Sequence, residues 1–110
     1  MKTYMGDRTI DGILVTVNGK PLDTRAATRT FSSMGFEWGY DGPEPRQLAF
    51  AILADHLGDM RVAETLSASF MTELVANFDN EWTLTTTDID TAIVDLGWSQ
   101  PATALTGDPR

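Results

Sequence analysis

The sequence predicts an α+β fold, a small and mostly antiparallel sheet of three to five strands packed on one side by three helices, in the order βββ(β)ααβα. Two patterns predict it. Up to residue 22, β-branched runs alternate with the turn dipeptides Asp11-Gly12 and Asn18-Gly19, which is typical of β-hairpins. From residue 46 to 97, apolar residues recur mostly at helical spacing, with one short alternating run among them. We therefore expect one sheet and one helical layer that share a core.

Residues 3–22 are expected to form a three-stranded meander. Pro21 cannot donate a ladder hydrogen bond, so the third strand should be a short edge strand. Residues 23–34 show neither a clear 2-residue nor a clear 3.6-residue period and are predicted to form an ordered loop or an irregular edge. The optional fourth strand is GFEWGY at 35–40, whose three aromatic residues alternate with other residues and are expected to cover the helices.

Two adjacent helices are predicted next. The first runs from about residue 46 to 57, with Pro45 in its first turn and Gly58 at its end. The second begins at Asp59 as N-cap and extends to about residue 77. The buried stripe of the first helix is expected to consist of Leu48, Ala49, Ile52, Leu53 and Leu57.

A strand and a third helix complete the predicted domain. The run EWTLT, from residue 81, alternates apolar and polar residues as a strand does. Thr87 and Asp90 resemble a capping box for the third helix, which should end at Gly97. We expect a single domain over residues 1–97 and a flexible tail over 98–110.

The composition excludes several classes of site. The chain has no cysteine, so disulfides, thiolate zinc sites, iron–sulfur clusters and a cysteine nucleophile are excluded. The longest apolar stretch, residues 48–54, is far shorter than the roughly 20 residues that cross a bilayer. We expect a cytoplasmic protein with no membrane partner.

The charge is concentrated in the second half of the chain. Residues 1–61 contain seven Lys or Arg and eight Asp or Glu, which leaves −1, whereas residues 62–110 contain eight acids and only Arg110, which leaves −7. A field of this sign repels phosphates and attracts basic surfaces, so we expect no direct contact with nucleic acid and a basic protein as partner. The alternative is that the charge serves solubility alone. The residues expected to bind the partner are Glu64, Glu73, Glu81, Asp88, Asp90, Asp95 and Trp98.

Three other candidate sites are weaker. Asp55, His56 and Asp59 suggest a metal site, but Asp55 and His56 point about 100° apart on a helix, and His56 is the only histidine. The Gly-Pro turn at 42–45 resembles a phosphate loop, but its two prolines lack donors. The carboxylates around residue 88 are better explained by helix capping than by acid–base catalysis. We expect no catalytic residue, no cofactor and no metal.

The order and spacing of three blocks resemble an uncharacterised family of small bacterial proteins known only as a domain of unknown function. The first block is TIDG at 9–12 with VTVNGKPLD at 15–23, the second is GFEWGY at 35–40 with QLAFAILADHLGD at 47–59, and the third is EWTLTTTDID at 81–90. The lead-in to the first helix departs from the family pattern, because this chain has Gly42-Pro43-Glu44-Pro45 where a looser Gly-Ser-Gly-Pro is expected. The resemblance implies no activity. It implies an accessory or counter-defence role, since such proteins are common in genomes rich in mobile elements.

Three functions remain open at this point. The first is an acidic interaction module, an inhibitor or counter-defence protein of a phage or mobile element that acts on a basic, nucleic-acid-handling partner. The second is an enzyme or small-ligand domain with a site between the aromatic strand and the first helix. That site would contain Glu37, Trp38, Tyr40 and His56. The third is a structural homo-oligomer that buries its aromatic or tail residues.

Overall fold

The structure is a computed structural model that describes residues 1–98. Four antiparallel strands form one sheet: β1 (Thr3–Thr9), β2 (Gly12–Val17), β3 (Lys20–Pro21) and β4 (Glu81–Thr85), in the spatial order β3-β2-β1-β4. Three helices accompany it: α1 (Pro43–Leu57), α2 (Met60–Glu73) and α3 (Thr86–Asp95), with a 3₁₀ turn at Val75–Asn77. The predicted α+β fold and its order of elements are confirmed.

The sheet has one buried and one exposed face. Tyr4 of β1, Val15 of β2 and Leu84 of β4 point into the core, as the period of two in a half-buried strand requires. Met5 and Leu14, on the opposite face, are about half exposed. The helices therefore lie on one side of the sheet, as the sequence predicts.

The two hairpin turns agree with the sequence to different degrees. Asn18 and Gly19 both have positive φ, at 51° and 82°, as a two-residue hairpin turn of type I′ requires. In the first hairpin Thr9 pairs with Gly12, so the turn residues are Ile10 and Asp11, one position before the predicted pair.

The GFEWGY segment is not a strand, contrary to the prediction. Gly35 and Gly39 have φ of 96° and 90°, which interrupts any extended run. Of its aromatic residues only Trp38 is fully buried, while Phe36 is half-buried and Tyr40 is exposed. The alternation reflects one anchored ring in an irregular segment rather than an aromatic face.

Trp38 is held in place by two contacts. Its indole N–H donates to the carbonyl oxygen of Asp79 at 2.7 Å, and its ring meets that of Trp82 edge-to-face at a centroid distance of 5.7 Å. These partners lie more than 40 residues away in sequence, so no local pattern could indicate them.

The central helix α1 is buried on all sides. Residues 47–54 are all buried, so the single apolar stripe predicted for this helix is wrong, and Leu57 of that stripe is only half-buried. The helix lies between α2, the sheet and the irregular segment 22–42, which covers the side that the sheet and α2 leave open.

A single amide fastens that segment to α1. The side chain of Gln47 is completely buried, and its Oε1 accepts hydrogen bonds from the backbone N–H groups of Phe31 and Ser32, at 2.6 and 3.1 Å. Its Nε2 donates to the carbonyl oxygens of Thr24 and Arg29, at 2.8 and 3.0 Å. Every donor and both lone-pair positions of the amide are thus used on loop backbone.

Helix ends differ in how well the sequence predicts them. Asp59 caps α2 as predicted, accepting from the N–H groups of Arg61 and Val62. The capping box of α3 consists of Thr85 and Asp88, two residues before the predicted pair, because β4 continues into α3 without a loop. Helix α1 begins at Pro43 rather than near residue 46, with both prolines in its first turn, and α2 ends at Glu73 before the 3₁₀ turn.

Of the predicted tail at 98–110, residues 99–110 lie outside the described part of the chain. Trp98 is described; it is half-buried and packs against the core. Among residues 1–98, no helix is long and apolar enough to cross a membrane.

Replacing Gln47 with methionine should destabilise the fold by about 2–4 kcal/mol, because four backbone groups of the loop lose their partner while side-chain volume is kept. Urea unfolding measures the loss of stability, and limited proteolysis should cut the 22–42 segment faster in the variant than in the parent. The exposed variant Thr65→Ala serves as control. A Gln47→Met protein as stable as the parent would contradict the role of the amide.

Gly6→Ala should destabilise the fold by about 1–3 kcal/mol, because a Cβ there would lie 2.2 Å from Nε1 of Trp82, whose indole lies across the glycine. The smaller ring of Trp82→Leu should make Gly6→Ala less costly, so a double-mutant cycle should show coupling. Strict additivity of the two changes would contradict the contact.

Candidate functional site

An open groove separates the second half of α2 from α3. Its volume is about 770 Å³. Small side chains contribute much of its lining, so no bulky residue fills the space between the two helices. The lining residues are Ala68, Ser69, Thr72, Glu73, Leu74, Asp88, Thr91, Ala92, Asp95 and Leu96. We refer to this feature as the α2–α3 groove.

Three of the seven predicted partner-binding residues meet in the α2–α3 groove. Glu73 comes from α2, and Asp88 and Asp95 come from α3; all three are exposed. No lysine, arginine or histidine is among the described residues that line the groove, so nothing there balances the three carboxylates. The groove is therefore acidic along both walls.

Two of these acids occupy positions that are unfavourable for helix stability. Glu73 is the last residue of α2 and Asp95 the last residue of α3, where the helix dipole is negative and favours a cation. Neither helix has a basic residue in its last turn. The helix ends and the carboxylates thus add to the same negative potential.

Three other predicted acids lie elsewhere. Glu64 forms an ion pair with Arg29 at 3.0 Å, and Asp90 contacts Nε2 of His56 at 2.6 Å. Glu81 lies on the exposed face of the sheet, away from the groove.

Trp98, the seventh predicted residue, does not project freely as an anchor. Its indole packs against the core, and its backbone N–H donates to the carbonyl oxygen of Ile93 at 3.0 Å.

The residues of the alternative ligand site do not converge. Glu37 pairs with Arg8, and Trp38 is buried beneath the Arg8 guanidinium, 4.8 Å from its ring centroid. Tyr40 donates to Glu44 in the first turn of α1, whereas His56 is at the other end of this 15-residue helix, about 20 Å away. The structure does not bring the four together.

The three residues considered for a metal site share no partner with one another. Asp55 contacts Lys2, Tyr4 and Arg25, His56 contacts Asp90, and Asp59 caps α2. Within residues 1–98 no group of three His, Cys, Asp or Glu side chains is placed to hold a metal ion.

Asp55 is the centre of a polar cluster that sequence reasoning missed. Its carboxylate accepts from the Tyr4 hydroxyl at 2.6 Å and from Lys2 at 3.0 Å, and pairs with Arg25 at 3.2 Å. Arg25 adopts a positive φ of 60°, which is uncommon outside glycine. The cluster joins β1, segment 22–42 and α1. The partners of Asp55 are 30 to 53 residues away from it in sequence, so no local spacing could have revealed the cluster.

The cluster perturbs two pKa values. Burial and the bond to Asp55 raise the pKa of Tyr4, which remains a donor. For Asp55, burial favours the neutral form, but the hydrogen bonds from Tyr4 and Lys2 and the charges of Lys2 and Arg25 outweigh it and lower the pKa.

Acidification should therefore weaken the fold through Asp55. Because its pKa is lower in the folded chain than in the unfolded chain, its contribution is complete above the ordinary value of about 3.9 and is lost as pH falls through the folded value. Asp55→Asn should lower stability at neutral pH and flatten the decline in acid, as measured by urea unfolding at several pH values. The exposed Asp11→Asn is the control. An unchanged pH profile in Asp55→Asn would refute the assignment.

Comparisons with known proteins bear on the family of the chain. No curated protein and no solved structure matches it. The model of a family of unknown function, DUF6166, matches residues 4–95, from the first residues of β1 to the last residue of α3. This match covers most of the chain and confirms the resemblance to a family of unknown function. The protein belongs to the DUF6166 family.

Proposed function

We propose that this protein is an interaction module that binds a basic segment of another protein in the α2–α3 groove. The observation that supports the proposal best is the convergence of Glu73, Asp88 and Asp95 on one groove without a balancing cation. A single-sign cleft attracts a partner of opposite charge and speeds its encounter.

The location of the acids argues against solubility as their only purpose. Carboxylates at the last residues of α2 and α3 oppose the helix dipoles, and solubility could be provided equally well at helix starts. Positions that cost local stability without a structural benefit are where binding residues are expected.

The lining also fits the shape of a basic side chain. Ala68, Ala92 and Leu74 offer apolar surface to the methylene stem of a lysine or arginine, and the carboxylates receive its charged end. A segment with several such residues would use both walls of the groove.

Basic segments of this kind are typical of proteins that handle nucleic acids. By occupying one, the module would compete with nucleic acid for it and act as an inhibitor, which is our proposal for a counter-defence role. Enzymatic activity is a weaker candidate, because Tyr40 contacts the first turn of α1 whereas His56 lies near its other end.

Reversing the groove charge should abolish partner binding. In a pull-down from host lysate at low salt, Glu73→Lys with Asp95→Lys should lose proteins that the parent retains, and those proteins should elute from the parent as salt rises. Both changes favour the helix dipoles, so the variant should remain folded. Asp88 is left intact because it caps α3.

The matched control is Asp11→Lys with Asp41→Lys, which changes the net charge equally at exposed positions outside the groove. It should retain the partner. Equal recovery by the parent and both double variants would refute the groove as the binding surface, and equal loss from both would reduce the effect to net charge alone.

A further inference from the structure

The free edge of β4 is a second surface with defined chemistry, separate from the α2–α3 groove. β4 is the outermost strand of the sheet and pairs with β1 on one side only. The opposite edge of the sheet is formed by β3, which has two residues, one of them Pro21, and is blunted in the usual way. β4 has five residues, without proline or lysine.

Backbone pairing shows which groups of β4 face outward. The N–H of Arg8 donates to Asn80 and the N–H of Thr86 donates to Lys2, so the even-numbered residues of β4 form the hydrogen-bonded pairs with β1. The N–H and C=O groups of Glu81 and Thr83 therefore point away from the sheet.

These outward groups are available for pairing. The N–H of Thr85 is taken by the Asp88 carboxylate in the capping box, which marks the end of the open edge. The outward N–H and C=O groups of Glu81 and Thr83 have no hydrogen-bond partner among residues 1–98, and both residues are exposed.

Two acids give this edge its charge preference. Asp7 of β1 lies directly opposite Glu81 in a pair without mutual hydrogen bonds, the kind that brings side chains closest. Like charges in such a pair repel each other, and no described cation pairs with either of them. Both side chains lie on the exposed face of the sheet, beside Met5 and Leu14.

We propose that an extended basic protein segment adds to the sheet as a fifth strand along β4. In an antiparallel arrangement, its residue opposite Glu81 exchanges two backbone hydrogen bonds and shares the exposed face. A lysine or arginine at that position lies beside Glu81 and reaches toward Asp7, so one cation relieves the repulsion of two carboxylates. A second copy of this chain would instead add its own Asp7 and Glu81 to the same face.

The test adds a capped pentapeptide of sequence TKVKT to the protein and measures binding from the protein's amide signals by NMR. The peptide TEVET is the charge control. The lysine N–H groups should face β4 and the valine N–H should face away. Methylating both lysine backbone nitrogens should therefore weaken binding at least about tenfold, whereas methylating the valine nitrogen should leave it unchanged. The amide protons of Glu81 and Thr83 should shift and become protected from exchange.

Variants of the protein separate edge pairing from simple attraction. Thr83→Pro removes an outward donor without breaking a native pair and should prevent binding, whereas Thr83→Val should retain it. Glu81→Lys leaves the backbone edge intact and should exchange the preference from TKVKT to TEVET, which keeps the test decisive if Thr83→Pro does not fold.

Three results would overturn the proposal. They are equal binding of the two methylated peptides, shifts confined to the α2–α3 groove, and a dimer of the parent chain that pairs through β4. The groove variant Glu73→Lys with Asp95→Lys should bind TKVKT at the edge as the parent does, so failure of one surface is distinguishable from failure of the other.

Discussion

The burial of residues 47–54 of α1 on all sides is the constraint on which the rest of this fold depends. A helix packed between a sheet and one other helix still has an open side. Segment 22–42 covers that side, and it can do so only because Gln47 satisfies four of its backbone groups. Irregular backbone packed against a core requires such partners, since unpaired polar groups there are costly.

Enclosing α1 in this way leaves other surfaces open. The 22–42 segment covers α1 beside α2. Arg29 of this segment contacts Glu64, and Arg46 of α1 contacts Ser67, on one side of α2. The opposite side of α2 has no such cover and faces α3 across a groove. Arg8, Arg25 and Arg29 thus form ion pairs that hold this segment. Glu73, Asp88 and Asp95 remain exposed and have no ion-pair partner among residues 1–98.

Signals carried by neighbouring residues predicted the structure well. The Asn18-Gly19 turn, the Asp59 cap and the β4 alternation each depend on the local backbone, and each is confirmed. The predictions failed where distant partners decide. GFEWGY has the period of a strand, but Trp38 is anchored to residues 79 and 82, and the glycines let the chain turn around it. Gln47 sits in an apolar run with nothing to indicate its role. The excess of acids in the second half of the chain could be predicted from the sequence. Which of these acids line the groove could not, because that depends on how the β4–α3 connection places α3 against α2.

Because β4 continues into α3 without a loop, Asp88 has two structural roles. Its Oδ2 accepts from the Thr85 N–H and secures the first turn of α3, while the same carboxylate lines the α2–α3 groove. The start of α3 and the charge of the groove therefore depend on the same side chain. Thr85 is also where the open edge of β4 ends. Loss of the Asp88 carboxylate would therefore remove a charge from the groove and release the Thr85 N–H at the end of the β4 edge in a single change.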